Sequence, residues 1–299
     1  MDRTLLAHLP IVLEVNRRRG FAAAAQALGM SASAVSHAVQ SVESRLGEAL
    51  FARTTRSVRL TEAGERFVAA LTPALDEIAT AVDQIGAARG RVAGTLRLNA
   101  PRIALPMVVT PVLEVLAQRH PELTVEVTAD DGLADIVAEG FDAGIRLGHT
   151  VAQDMVAVRL TPPLKAIMVA APPYLARRGE PAVLADLAAH NCIGYRLVTA
   201  GAVYDWDLRD RGRPVALAVQ GTVRVTDSLH AKDLALRGVG IAYLFEPLVR
   251  EELRLGTLRQ LLPPSAFEEP GLFLYFPRRG ARAAKLRAFI DTARDVLPR

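Results

Sequence analysis

The chain has 299 residues, 51% of them hydrophobic and 23% charged, with a net charge of +4. Such values describe globular domains with sizeable cores and exclude a disordered polyelectrolyte. A single cysteine, Cys192, excludes an intramolecular disulfide and any metal site built from cysteines alone. No apolar run reaches the ~18 residues of a membrane helix, and residues 1–10 lack a basic segment ahead of an apolar core, so a cytoplasmic protein with no membrane partner is expected.

The first expected helix covers residues 4–16, with Leu5, Leu6, Leu9, Val12, Leu13 and Val15 available for a core and Pro10 expected to kink it. A second begins at Phe21, where Phe21, Ala24, Ala25 and Leu28 fall at i, i+3, i+4 and i+7. Gly29 suits the left-handed residue that ends it. Ser31 or Ser33 can cap the third helix, whose buried face reads Val35, Ala38, Val39, Val42 and Leu46. A turn of about 100° per residue sends Ser33, Ser36, His37, Gln40 and Ser44 to the opposite side. That row is short and hydrogen-bonding, and it suits a polar groove such as that of DNA better than water.

Local charge supports the same reading. Between Val15 and Thr61 stand seven arginines (Arg17, Arg18, Arg19, Arg45, Arg53, Arg56 and Arg59) against Glu43 and Glu48, a local excess of +5. The rest of the chain is close to neutral, so the basic charge sits where phosphates would be held. Arg17, Arg18 and Arg19 suit either a solvated turn or phosphate contact. Val58 and Leu60 alternate with Arg59 in an expected strand, and Arg53 and Arg56 fall in the preceding turn, as in a wing.

Thr61 caps a long helix with Glu62 and Glu65 in its first turn, where the helix dipole favours acids. Its apolar residues Val68, Leu71, Leu75, Ile78, Val82 and Ile85 are spaced 3, 4, 3, 4 and 3, the seven-residue repeat of a helix that pairs with a second copy. Packing on its own domain is the competing explanation. Pro73 should bend it locally.

Beyond Val92, short strands alternate with helices. Leu96 and Leu98 mark a strand, residues 106–118 a helix, and Leu123, Val125 and Val127 a second strand. Residues 131–139 read as a helix closed by Gly140, and 142–147 as a third strand. The style repeats from Lys165 to Leu262, with strands at 165–169, 192–195, 222–225 and 241–244, and helices at 173–177, 182–187, 228–237 and from Glu246 to Gly256. A strand at 272–276 and a helix at 283–296 close the chain. This order predicts a doubly wound, parallel α/β sheet in two lobes crossing near Pro162-Pro163 and Pro263-Pro264. Ligands in such sheets bind beyond the carboxyl ends of strands, in a cleft.

The order of parts resembles a known family. Ser33-Ala34-Val35-Ser36-His37, Glu43, Leu46-Gly47, Leu50-Phe51, Arg53, Arg56, Val58, Leu60-Thr61 and Ala63-Gly64 are similar to the signature of LysR-type transcriptional regulators. Gly140-Phe141-Asp142-Ala143-Gly144-Ile145-Arg146-Leu147-Gly148 and His190-Asn191-Cys192-Ile193 resemble segments of that family's effector domain, which is similar to type 2 periplasmic binding proteins. The resemblance covers the whole chain. It implies a winged helix-turn-helix at 1–60 (helix-turn-helix 21–40) and a linker and dimerisation helix at 61–90. An effector domain at 91–299 follows, with lobe I at 91–163 and 265–299 and lobe II at 164–264. It implies no enzyme activity, no cofactor beyond a small-molecule effector, and partners in double-stranded promoter DNA, the chain itself as dimer or tetramer, and RNA polymerase. The DNA-contacting residues carried over are Ser31, Ser33, Ser36, His37, Gln40, Arg53 and Arg56. Gln can pair with adenine, His can donate to guanine, and Arg in the wing can hold phosphates. This chain departs from the pattern in Ala32-Ser33, where many members carry Gln-Pro, and in Gly20, where a serine often caps.

For the effector the expected cleft residues are Ala100, Pro101, Arg102, Asp130, Arg146, Thr226 and Asp227. Backbone N–H groups at 100–102 could hold an anion, although the hydroxyl residue common near this point in the family is missing. Arg146 could equally serve in a structural ion pair, and Asp227 or Ser228 could simply cap the following helix. Cys192 beside His190 suits packing in a buried strand. The histidines His8, His37, His120, His149, His190 and His230 form no i, i+4 pair, so no metal is expected. A small-molecule enzyme or solute-binding protein with an appended helical domain is the alternative, and no catalytic constellation supports it.

Overall fold

A computed structural model describes residues 3–53, 58–87, 91–132, 135–137, 139–148 and 155–298. It divides into two compact units, one within residues 3–87 and the other formed by Arg91–Ile136 and the chain from Phe141 onward.

The first unit runs α1 (Arg3–Arg18), α2 (Phe21–Leu28), α3 (Ala32–Leu46), β1 (Phe51–Arg53), β2 (Val58–Leu60) and α4 (Glu62–Ala87). Helix α1 continues through Pro10. Gly29, at φ +62°, closes α2 by donating to the carbonyls of Ala25 and Gln26, and Ser31 Oγ caps α3 by accepting from Ala34 N at 3.1 Å. Val12, Val15, Ala24, Val35, Val39 and Val42 form the centre of the core, with Leu50 and Phe51 closing it. Leu46, expected in that core, is exposed because it is the last helical residue before the left-handed Gly47.

The wing is set by two carefully filled contacts. Glu43 Oε1 accepts from Leu50 N at 2.8 Å and Phe51 N at 3.1 Å, so the one acid within the recognition helix binds backbone and is not presented to a groove. Thr61 Oγ1 donates to Ala49 O at 2.6 Å and accepts from Gly64 N at 3.0 Å. A Cβ on Gly64 would lie 2.1 Å from Leu50 O, which is why that position takes glycine. Arg53 pairs with Val58 in the β1–β2 ladder, so it belongs to a strand and not to the expected turn. The side chain of Arg53, and all of Arg56, lie outside the described residues.

Along α4 the apolar repeat divides. Val68 packs on the head core, Leu71 is 7% exposed, and Ile78 is 60% exposed. The side chains of Val82 and Ile85 lie outside the described residues.

The second unit follows as β3 (Gly94–Ala100), α5 (Thr110–Arg119), β4 (Leu123–Ala129), β5 (Ala143–Leu147), β6 (Met155–Arg159), β7 (Leu164–Ala170), α6 (Pro172–Arg178), β8 (Gly194–Tyr195), β9 (Trp206–Asp210) and β10 (Arg213–Leu217). Then come β11 (Arg224–Val225), α7 (Ser228–Leu236), β12 (Ala242–Phe245), α8 (Glu246–Leu255), β13 (Arg259–Leu261), β14 (Phe267–Glu269), β15 (Leu272–Pro277) and α9 (Ala284–Val296). A π-helical turn, Leu105–Val109, precedes α5.

Lobe I is a sheet in the order β4-β3-β5-β15-β6. Its β3 runs parallel to β4 and β5, while β15 is antiparallel to β5 and β6. Leu96, Leu98, Val112, Leu116, Ile145, Leu274 and Phe289 fill the core between this sheet and helices α5 and α9. In lobe II, β7 is paired antiparallel with β12, β13 and β14. The expected parallel pairing therefore holds at β3, β4 and β5, and the lobe II sheet departs from it. Strand β14 pairs with β7, which moves the return crossing from Pro263-Pro264 to Pro270-Gly271. There the two crossing segments meet: Leu272 N donates to Thr161 Oγ1 at 2.9 Å, and Leu160 N to Leu272 O at 2.9 Å.

Residues 131–139 do not form the expected helix; the described ones are turns and bends. Asp130 Oδ1 accepts from Gly132 N at 2.8 Å and Asp131 Oδ1 from Arg102 N at 2.8 Å. Aspartates that bond backbone in this way hold it out of the helical path.

Candidate recognition helix and effector cleft

Of the residues expected on the DNA-facing side of α3, Ser33, His37 and Gln40 are exposed and Ser36 is half-buried. They lie opposite the fully buried Val35, Val39 and Val42, so the helix is fixed from behind while its polar face stays open. Ser31 spends its hydroxyl on the cap and stands 2.9 Å from Ser33 Oγ, which leaves it a positioning role first. Arg17 bonds Glu14, and Arg18 Nε lies 2.9 Å from the same carboxylate. Two of the three arginines in that run are thus tied to α1, which favours the structural explanation for them. Their attraction also depresses the Glu14 carboxyl below its ordinary value against the opposing effect of burial.

The second site lies between the lobes at the carboxyl end of β3. Arg102 Nη1 reaches Asp131 Oδ2 at 3.1 Å, and its Nε reaches Asp227 Oδ2 at 3.6 Å. Asp131 belongs to lobe I, whereas Asp227 caps α7 in lobe II by accepting from Leu229 N at 2.8 Å. One guanidinium thus bridges the two lobes. The Tyr195 hydroxyl belongs to the same group: burial, and then the charges of Asp131 and Asp227, push its pKa up to about 12. The expected anion cradle at residues 100–102 is already filled, because Asp131 takes both the Arg102 N–H and its guanidinium. Ala100 is buried in the lobe I core and turns away from the cleft, Pro101 is buried beside it, and Thr226 is exposed next to Asp227.

Arg146 forms no ion pair among the described residues. Its guanidinium donates to Ile145 O at 2.7 Å, Gly132 O at 2.7 Å and Asn99 Oδ1. Asp130 serves the turn described above. Cys192 is buried, and burial raises its thiol to about 12, which removes it as a nucleophile. Around it Asn191 donates to Val239 O at 2.8 Å and accepts from Thr222 N at 2.7 Å, and Tyr174 OH accepts from Asn191 N at 2.9 Å. The His190-Asn191-Cys192-Ile193 segment is therefore a structural brace. Among the described residues no three His, Cys, Asp or Glu side chains gather in a way that could hold a metal ion.

Two family descriptions match the chain: "Bacterial regulatory helix-turn-helix protein, lysR family" over residues 6–65 and "LysR substrate binding domain" over residues 89–298. The chain belongs to the LysR family of transcriptional regulators. An Escherichia coli (strain K12) relative, described as an uncharacterized HTH-type transcriptional regulator, YcaN, is 39% identical over 277 residues, 93% of this chain and 90% of the relative. PgrR of the same strain is 35% identical over 291 residues, 97% of each chain. Among solved structures, CrgA, a LysR-type regulator from Neisseria meningitidis, superposes with a TM-score of 0.62 at 25% identity, covering 97% of this chain and 98% of its own.

For a LysR-type chain, sequence reasoning found the recognition face but only part of the cleft. It missed Asp131, Tyr195 and Asn99. Asp131 was absorbed into an expected helix. Tyr195 reaches the cleft only because β8 pairs with β11 and so sits beside Asp227. Asn99 is the one polar residue of β3 that is nearly fully buried, at 1% exposure, and its place directly before Ala100-Pro101-Arg102 was the available signal.

Proposed function

We propose that this LysR-type regulator acts in the cytoplasm as a homodimer or dimer of dimers. It reads promoter DNA through α3 and adjusts transcription when a small molecule occupies the interlobe cleft. The observation that carries the DNA reading is the polar, exposed row Ser33, His37 and Gln40 on a helix whose other side is fully buried. Arg53 and Arg56 would hold phosphates and make binding depend on salt. The exposed part of the α4 seam supports pairing of two copies, which would set the spacing of the two heads on DNA. RNA polymerase would be met at the promoter.

For the cleft, the bridging Arg102 supports coupling between occupancy and lobe closure. An effector that competes for Arg102 or Asp227 alters the link between the lobes, and the resulting free energy, typically ~1–3 kcal/mol, is shared with DNA binding. The test is a mobility-shift titration on the promoter beside the protein's own gene. Ser36→Ala, Gln40→Ala and Arg53→Ala combined should weaken binding at least tenfold, and unchanged affinity would refute the recognition face. A thermal-stability screen over a metabolite panel tests the cleft, since a ligand that binds only the folded state raises its melting temperature.

A further inference from the structure

Behind the cleft wall, the lobe I sheet carries a group of donors with nothing to receive them. Asn99 on β3 lies opposite Gly144 on β5, and Gly144 opposite Tyr275 on β15, so the three form one row across the sheet. A Cβ on Gly144 would stand 2.4 Å from the Tyr275 ring, which fixes that ring over the row. Arg146, two residues after Gly144, shares its face and donates to Asn99 Oδ1. Asn99 Nδ2 and Arg146 Nε are both buried, and both lack a hydrogen-bond partner. Because Arg146 already holds Asn99, these two orphaned donors lie within one side chain's reach of each other.

Most buried polar groups in folded proteins are satisfied, and an unmet donor costs about 1–3 kcal/mol. The charge is unmet as well: no carboxylate lies within ion-pair distance of Arg146 among the described residues. A neutral acceptor would answer the donors alone, whereas an anionic oxygen answers both the donors and the guanidinium. The place is next to the cleft. Arg146 donates to Gly132 O, and a Cβ on Gly132 would lie 3.5 Å from Thr199 Oγ1 of lobe II.

We propose that Asn99 and Arg146 form an anion subsite that receives a carboxylate group of the effector, beside Gly132. The assignment rests on the effector reading only for the identity of the molecule that brings the carboxylate. The electrostatic division of the cleft follows. Arg102 is held by the protein's own Asp131 and Asp227, and Arg146 is the cation left for the ligand.

The experiment is thermal unfolding of the full chain, titrated with sodium acetate at constant ionic strength, with crystals soaked in sodium bromide. The wild type should show a saturable rise in melting temperature and an anomalous bromide peak touching Asn99 Nδ2 and Arg146 Nε. Asn99→Asp gives Arg146 a carboxylate from within, so it should melt higher than wild type without acetate and gain nothing on its addition. Arg146→Lys keeps the charge but removes Nε, and should weaken acetate at least fivefold, which tests the subsite even if the first variant does not fold. Equal acetate responses in wild type and both variants, or a water in place of bromide, would overturn the proposal. A metabolite screen without hits alongside a positive acetate result would instead sink the effector reading and leave the subsite standing.

Discussion

Ile78 offers the sharpest test of how two copies of this regulator would join. It is 60% exposed on α4, three residues beyond the half-buried Leu75 and seven beyond Leu71, which is only 7% exposed. Complete burial of an isoleucine side chain is worth about 1.5–3 kcal/mol, so covering the three-fifths that Ile78 exposes contributes about 1–2 kcal/mol per protomer. A two-fold contact uses the residue twice, giving ~2–4 kcal/mol, or about 30-fold to 1,000-fold in the dissociation constant. Alanine keeps the Cβ, so Ile78→Ala should fall near the lower end. Sedimentation equilibrium of the purified protein, with and without an operator fragment, measures it directly. Leu71→Ala is the contrast. Its side chain is already covered within the chain, so it should cost roughly 2–5 kcal/mol of folding stability while changing association less. A dimer constant for Ile78→Ala within threefold of wild type would refute the seam.

Three further outcomes are expected. Gly271 stands at φ +96° at the lobe crossing, and a Cβ there would lie 2.5 Å from Pro162 O, so Gly271→Ala should destabilise the protein by about 1–3 kcal/mol, read as lowered denaturant midpoint. Burial and the neighbouring Asp207 charge raise the Glu269 carboxyl above its ordinary value, so the folded state holds that proton more tightly than the unfolded chain and stability falls as pH rises through the raised value. Glu269→Gln should therefore melt higher than wild type at pH 8 and lose that advantage at pH 4, and an advantage that is the same at both would contradict the assignment. With its thiol near 12, Cys192 is about 1 part in 30,000 thiolate at pH 7.5, so iodoacetamide should label it only after denaturation, and mass spectrometry of the native protein should find it unmodified.

Local spacing by itself determined the head of this protein. The i, i+3, i+4 pattern from Phe21, the left-handed Gly29, the Ser31 cap and the Thr61–Gly64 corner depend on neighbours within a few turns, so their geometry is written in adjacent residues. The exposed row on α3 follows from the same periodicity. The alternation of strands and helices beyond Val92 also shows an α/β domain in two halves.

What only the tertiary structure decided are the matters of pairing at a distance. Whether strands run parallel or antiparallel depends on which edge each meets, and β14 lies beside β7 after an intervening hundred residues. Short edge strands such as β13 and β14 carry too few residues to show a period. The charge of the cleft is of the same kind. Arg102 read alone is a free cation, and only the fold brings Asp131 and Asp227 to it from 29 and 125 positions away. Arg146 read alone suits an ion pair, and the fold surrounds it with carbonyls and an amide. A side chain's charge belongs to the sequence, but whether that charge is already answered depends on contacts between residues far apart in the chain.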